Sequence, residues 1–385
     1  MKRKQEDTAG IFEQAGRLAR QAYFQLKGWS EVWPVLETME AMNLKNRWEA
    51  VPICRKIRKA EYGWHVQFSL PAGIKSKQIT DDLDAFEEQA GARIEIKVHS
   101  ALLCMDIIMT RLPESINFQW QSGEYPKMHL PIPVGMLRRS GKLLVVDLAE
   151  VVHMLVAGNT GSGKSNYLQT VAHALLGRSD IWLVIIDLKR LDFNYLQHHA
   201  LIAATQKQAL FALKALNAEH DRRTYILAHA GVTKLGDYQG HDLPWMVVMI
   251  DELAELKYNK EAQSLLIRLS QEARGTGIHL IGAIQRPTYT AWKGEAFTDF
   301  RANLPGKMCF SVVNALESRI VLDNDHAHTE IPKGMPGRAI WQWRNEEVLQ
   351  AMYLPIDRAK SIVSAIPTKV RWEQNEQREK RLAPR

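Results

Sequence analysis

From about Glu114 to Gln342 the chain repeats one pattern: a short apolar run, a turn, then a stretch whose apolar positions recur at helical spacing. The runs are Met154 to Ala157, Ile181 to Asp187, Trp245 to Asp251, His279 to Ile284 and Lys307 to Val313. Short apolar strands separated by helices predict an α/β fold with a mainly parallel sheet covered by helices on both faces. In such a fold the chemistry sits at the carboxyl ends of the strands. The segment before it reads differently. Ile11, Ala15, Leu18 and Ala22, then Val32, Leu36 and Met39, are spaced as on helices, with a break at Gly28 and Pro34, so residues 1–45 predict two short amphipathic helices. Strand-like pieces at Tyr62 to Leu70 and Arg93 to Val98 flank a helical stretch from Thr80 to Ala90. An apolar segment follows from Ala101 to Thr110, and residues 46–113 are expected to form a small α+β domain. The expected α/β domain is 114–344, and 345–385 reads as a mixed-charge tail of the solvated kind.

A length of 385 residues fits this division into two or three domains. The composition, 46% hydrophobic and 24% charged, is that of a globular protein and excludes collagen-like and disordered classes. The formal charge of +7 tilts toward an anionic partner. Cys54, Cys104 and Cys309 are odd in number, far apart and in no metal-type spacing, which argues against a disulfide framework or a zinc site. Charges interrupt the first thirty residues, and nowhere do about 18 apolar residues run together. A cytoplasmic protein with no membrane span of its own is expected, any membrane contact coming through a partner.

The strongest chemical signal is Gly158-Asn159-Thr160-Gly161-Ser162-Gly163-Lys164-Ser165, a G-x-x-x-x-G-K-[ST] phosphate loop between an apolar strand and the helix-like NYLQTVAHALL. Its glycines permit backbone angles that turn N–H groups onto phosphates, and the following helix adds its positive end. Lys164 is placed to reach the β- and γ-phosphates of ATP, and the Ser165 hydroxyl to ligate Mg²⁺. Two strand ends offer a carboxylate for the magnesium shell, Asp187 and Asp251. Only Asp251 is followed by a second acid, so Asp251 is assigned to the metal and Glu252 to the base that polarises the attacking water. Asp187 is left without a role. Gln285, ending the run HLIGAIQ, is a neutral amide that senses the γ-phosphate or merely caps the turn.

The blocks LVAGNTGSGKS, IIDLKR, MVVMIDELAEL, EARGTGIHLIGAIQRP, RANLPGKMCFSV and ESRIVLD, in that order, resemble the motor domain of FtsK/SpoIIIE-type DNA translocases. The resemblance covers about Leu130 to Gln342. It implies a RecA-like ATPase that assembles as a ring, usually a homo-hexamer, around double-stranded DNA and pumps it by ATP hydrolysis. It further implies that Arg274 acts as an arginine finger in a neighbour's site, and that Arg286 and Arg319 touch DNA phosphates in the pore. Lys293, Arg301 and Lys307 lie in the same region. The chain departs from the family at Leu188, Ile284 and Ala315, none of which removes a charged actor of hydrolysis, although Ala315 replaces a basic residue near the DNA contacts. The small size resembles motors carried by plasmids and integrative conjugative elements, which implies transfer or maintenance of a mobile element, with a relaxase or membrane channel as partner. Two alternatives remain at this stage: a related ATPase powering protein secretion, and an ATP-gated scaffold.

Overall fold

The computed structural model describes residues 25–368 other than 26, 100, 101, 241, 293–295 and 332. The chain divides into two compact units, Met1–Arg111 with Arg138–Gly141, and Leu112–Leu137 with Lys142–Arg385. The helix expected around Ile11 to Ala22 lies outside the described residues.

The smaller unit contains α1 (Trp33–Ala41), β1 (Ile53–Ala60), β2 (Gly63–Ser69), α2 (Ser76–Thr80), α3 (Leu83–Ala90), β3 (Arg93–His99) and β4 (Leu102–Ile108). Its four strands form an antiparallel sheet in the order β1-β2-β4-β3. Period-two alternation sends Trp64, Val66 and Phe68 of β2 and Leu103, Met105 and Ile107 of β4 to one face, where they pack with Val32, Val35 and Leu36, Ile79 and Phe86. The expected boundary at 45/46 is therefore absent. A helix of nine residues is not stable alone in water, and α1 is held by burying its apolar stripe in this core. The single helix expected over Thr80 to Ala90 is two, and α3 ends at Gly91 in the left-handed conformation (φ 58°). Strand β1, sequence ICRKIRKA, was not expected: its cations interrupt the apolar signal, as suits an edge strand.

The larger unit is built on a ten-stranded sheet. Six strands are parallel, in the order Leu201–Ala203, Ile181–Ile186, Trp245–Ile250, Ile278–Ile284, Met154–Ala157 and Gly306–Phe310, and four antiparallel strands, Arg338–Gln342, Glu346–Gln350, Pro131–Leu137 and Leu143–Asp147, extend the side of Gly306–Phe310. In chain order the elements are β5 (Ile116–Asn117), β6 (Pro131–Leu137), β7 (Leu143–Asp147), α4 (Leu148–Val151), β8 (Met154–Ala157), α5 (Lys164–Leu176), β9 (Ile181–Ile186) and β10 (Leu201–Ala203). There follow α6 (Gln206–His229), β11 (Trp245–Ile250), α7 (Lys260–Glu272), β12 (Ile278–Ile284), α8 (Ala296–Ala302), β13 (Gly306–Phe310), α9 (Ala315–Leu322) and α10 (Ala327–Glu330). The last are β14 (Arg338–Gln342), β15 (Glu346–Gln350), β16 (Met352–Tyr353) and α11 (Ile356–Ser364). Each expected apolar run holds one of β8, β9, β11, β12 and β13. Strands β8 and β12 are buried along their whole length because separate apolar clusters cover the two faces, one containing Leu168 and Val171 of α5 and the other Leu213 of α6 and Leu266 of α7.

The expected charged tail beginning at 345 is a correction. Strand β15 lies inside the sheet between β14 and β6, and α11 packs back onto α5, where the His173 ring meets the Ala359 carbonyl (Nε2 to O 3.2 Å). Leu349, Leu354, Ala359 and Val363 are buried, so the larger unit needs this segment for its core. The charged residues past 368 lie outside the described part. Among the described residues no helix is long and apolar enough to cross a membrane.

Candidate functional site

Strand β8 runs into the phosphate loop, which ends where α5 begins at Lys164. Gly161 and Gly163 adopt φ of 80° and 101°, values that side chains with a Cβ avoid. A Cβ on Gly163 would lie 2.6 Å from the Gly337 nitrogen, and that nitrogen donates to the Ser162 carbonyl at 2.8 Å. The turn Gly334 to Gly337 thus braces the loop from outside. A cavity of about 760 Å³ opens over it, lined by Asn159, Thr160, Lys164, Ser165 and Gln285 together with Met335, Met352 and Tyr353.

The sheet order explains how the other candidates arrive. Strand β12 lies between β8 and β11, so the ends of these strands bring Gln285 between the phosphate loop and the Asp251–Glu252 pair. Lys164 Nζ donates to the Asp251 carbonyl at 3.0 Å and stands 3.4 Å from its Oδ1, and both side chains are 3% exposed. Glu252 is engaged on both oxygens. Its Oε2 is 3.2 Å from Lys189 Nζ, and its Oε1 accepts from the Gln285 N–H at 3.3 Å and the Ala254 N–H at 3.4 Å. The backbone of Gln285 therefore touches Glu252, whereas the sequence reading considered only the side-chain amide of Gln285.

Asp187, without a role from sequence alone, is fully buried one strand away. Burial and the Asp251 charge push its pKa up, while the N–H groups of Arg190 (2.9 Å) and Phe193 (3.3 Å) partly offset this. Its place is structural: it closes the turn after β9 that presents Lys189. Lys189 and the Gly334–Gly337 turn were missed as site members. The signals were weak, a lysine two residues past a strand-end acid and two glycines flanking Met-Pro.

The three arginines implicated by the sequence, Arg274, Arg286 and Arg319, lie in three different places. Arg274 is exposed and precedes β12 at its amino end, so the strand's length, about 23 Å for seven residues, separates it from its own phosphate loop. Arg286 is exposed immediately after β12, beside the site. Arg319 is exposed on α9 and pairs with Asp325 at 2.9 Å. Arg301 and Lys307 share the one carboxylate of Asp323, which offsets one of their two charges, and Lys293 lies outside the described residues.

The pocket's own features fit a nucleotide. Ser162 Oγ is buried in the loop with no hydrogen-bond partner among the described residues, Gly161 and Gly163 take the left-handed angles a phosphate loop needs, and α5 is long enough to present a full helix N-terminus. Ser165 in its first turn and the Asp251 carboxylate supply hydroxyl and carboxylate oxygens of the kind a hard divalent cation takes.

Comparison with known proteins agrees with this geometry. Residues 118–241 match the FtsK/SpoIIIE family. The DNA translocase SftA of Bacillus subtilis (strain 168) is 30% identical over 286 residues, which cover 68% of this chain and 30% of that protein. The DNA translocase FtsK of Campylobacter jejuni (strain 81-176) is 35% identical over 210 residues, covering 50% of this chain and 22% of the relative. The aligned part thus spans less than a third of either curated relative. Among solved structures, the pCW3 conjugation coupling protein TcpA in its monomer form with ATPγS superposes with a TM-score of 0.62 at 21% identity, over 87% of this chain and 99% of that one. The cytoplasmic domain of the type VII secretion ATPase EccC of Thermomonospora curvata gives 0.52 at 25% identity, over 63% and 32%.

Proposed function

We propose that this chain, which carries an FtsK/SpoIIIE-type motor domain, hydrolyses ATP and uses the energy to move duplex DNA in the transfer or maintenance of a mobile genetic element. The observation that carries the reading is the continuity of one short segment. Gln285, whose N–H bonds the Glu252 carboxylate, is followed directly by the exposed Arg286. A phosphate contact at Arg286 therefore shifts the residue that holds the base, which is a direct route from DNA to hydrolysis.

In this reading Lys164 leaves the Asp251 carbonyl to bind the β- and γ-phosphates, and the loop N–H groups neutralise the α- and β-phosphates. Ser165 and Asp251 would hold Mg²⁺, which when bound supplies charge neutralisation at the transferring phosphoryl group. Glu252, released from Lys189, orients a water and takes its proton. Arg274, too far from its own loop, acts on a neighbouring copy, so the active form is a ring, with a homo-hexamer the expected size. Arg286 and Arg319 contact phosphates without reading bases, which suits movement along any sequence. A relaxase or a membrane channel is the expected partner.

The test is hydrolysis by the full chain with and without long duplex DNA. Stimulation that falls steeply between 50 and 200 mM salt is expected on the order of the loss typical of several phosphate contacts. Absence of stimulation by duplex DNA at low salt refutes the reading. The superposition on a secretion ATPase favours one second reading, a motor whose cargo is polypeptide. Stimulation by polypeptide and not by DNA would select it, while nucleotide-dependent assembly without turnover would select a scaffold.

A further inference from the structure

The smaller unit has helices against only one face of its sheet. The pairing register maps the other face row by row. Ile53, Ser69, Leu102 and His99 form one row, Lys56, Gln67, Cys104 and Lys97 the next, and Arg58, His65, Asp106 and Glu95 the third. Two acids lie on this face, and both are already matched. Asp106 accepts from Tyr62 and Arg139 and faces the His65 ring, while Glu95 is held by Arg138 and Arg139. Burial alone would raise both acids, but these bonds outweigh it and hold both pKa values below the ordinary carboxylate range. Lys56, Arg58 and Lys97 are exposed and make no ion pair among the described residues.

We propose that this open sheet face is a second, sequence-independent contact for the phosphate backbone of duplex DNA, centred on Lys56, Arg58 and Lys97. The inference rests on the DNA reading of the motor and adds a surface outside it. Charge complementarity carries it: three unmatched cations sit on a face whose only acids are neutralised. Spacing agrees. Lys56 and Lys97 stand in one row three strand spacings apart, about 14 Å, comparable with the roughly 12 Å across a major groove. Composition selects the ligand form. No Phe, Tyr or Trp lies in these three rows, and Tyr62 beside the third has its hydroxyl on Asp106 and the Arg139 guanidinium 4.9 Å from its ring centroid, so one ring already in use is a poor platform for stacking single-stranded bases. Duplex backbone is the polyanion that needs charge alone. Cations on an edge strand also discourage edge pairing, a role open to Lys56 and Arg58 on β1 and to Lys97 on β3 at the opposite edge, and the salt dependence of DNA binding separates the two roles.

The experiment measures DNA binding by the full chain against salt concentration, using a 40-base-pair duplex and a single strand of equal length. The variant is Lys56→Gln/Arg58→Gln/Lys97→Gln. Its control is Lys75→Gln/Lys77→Gln, which removes exposed charge from the helical side of the same unit. Each lost phosphate contact lowers the slope of log K against log salt by about 0.9, so the triple variant is expected to lose about 2 to 3 units of slope and the control none. A triple-variant slope equal to wild type, with duplex binding by wild type intact, overturns the sheet-face contact while sparing the motor reading, and leaves a protein partner as the occupant. Absence of duplex binding by wild type overturns both. A larger slope loss on single strands than on duplex overturns the duplex assignment. Circular dichroism of the variants guards against misfolding, and if the triple variant is unfolded, Lys97→Gln alone is expected to lose about 1 unit of slope, with no loss overturning the contact.

Discussion

The pair formed by Lys164 and Asp251 makes a prediction that does not depend on turnover. Both side chains are 3% exposed and 3.4 Å apart, so each is the other's main compensation for losing water. Lys164→Ala leaves the Asp251 carboxylate buried without a cation, one strand from the buried Asp187. Breaking one side of a buried pair costs about 3 to 5 kcal/mol. The lower part of that range applies, because the nucleotide cavity opens at the site and lets water approach the orphaned carboxylate. For a unit of this size about 3 kcal/mol corresponds to roughly 6 to 12 °C in melting temperature. Thermal unfolding of nucleotide-free protein is the assay. The double variant Lys164→Ala/Asp251→Asn removes the stranded charge and is expected to regain most of the loss, although neither variant hydrolyses ATP. A Lys164→Ala protein as stable as wild type refutes the reasoning, as does a double variant no more stable than the single one.

Glu252→Gln is expected to bind ATP and lose at least about 100-fold in turnover, consistent with a removed general base; residual hydrolysis near wild type in a single-turnover assay would misplace the base. Arg274→Ala mixed with wild type is expected to depress activity out of proportion to its fraction, and a strictly linear loss in a titration would argue against action on a neighbour. Gly163→Ala places a Cβ against the Gly337 nitrogen at a φ of 101°, so a loss of nucleotide affinity of roughly 10-fold or more is expected by calorimetry, from strain of about 1 to 2 kcal/mol plus displacement of the loop. His153 and His279 are fully buried, and burial pushes their pKa values down to about 3 and about 4. The unfolded chain then binds more protons than the folded one below about pH 6.5. Stability from the pair is complete above that pH and is lost as pH falls toward the folded values, by about 4 kcal/mol for both at pH 5. Urea unfolding between pH 7 and 5 checks this, and His279→Gln is expected to remove about half of the slope.

The phosphate loop, the strand-end acids and the five apolar strands were legible because each is a local pattern. Glycines, lysine and serine at fixed spacing, or an apolar run ending in Asp-Glu, carry their chemistry in adjacent residues. The strand order was not legible, and it decides the site: β12 between β8 and β11 puts the Gln285 N–H on Glu252, a contact between residues 33 positions apart. Lys189 joins the same carboxylate from 63 positions away, and its one local signal, a place two residues past a strand-end acid, does not say which group it meets. Charge pattern misled where packing outweighed it. ICRKIRKA is an edge strand, and the segment from Glu346 to Ser364 is part of the larger core, because a few apolar residues suffice when a sheet or helix already waits to receive them. Sequence alone determined which groups can do chemistry, through side-chain type and local spacing. Tertiary structure decided which of them meet, because long-range pairing sets distance and burial, and those govern what a charge is worth.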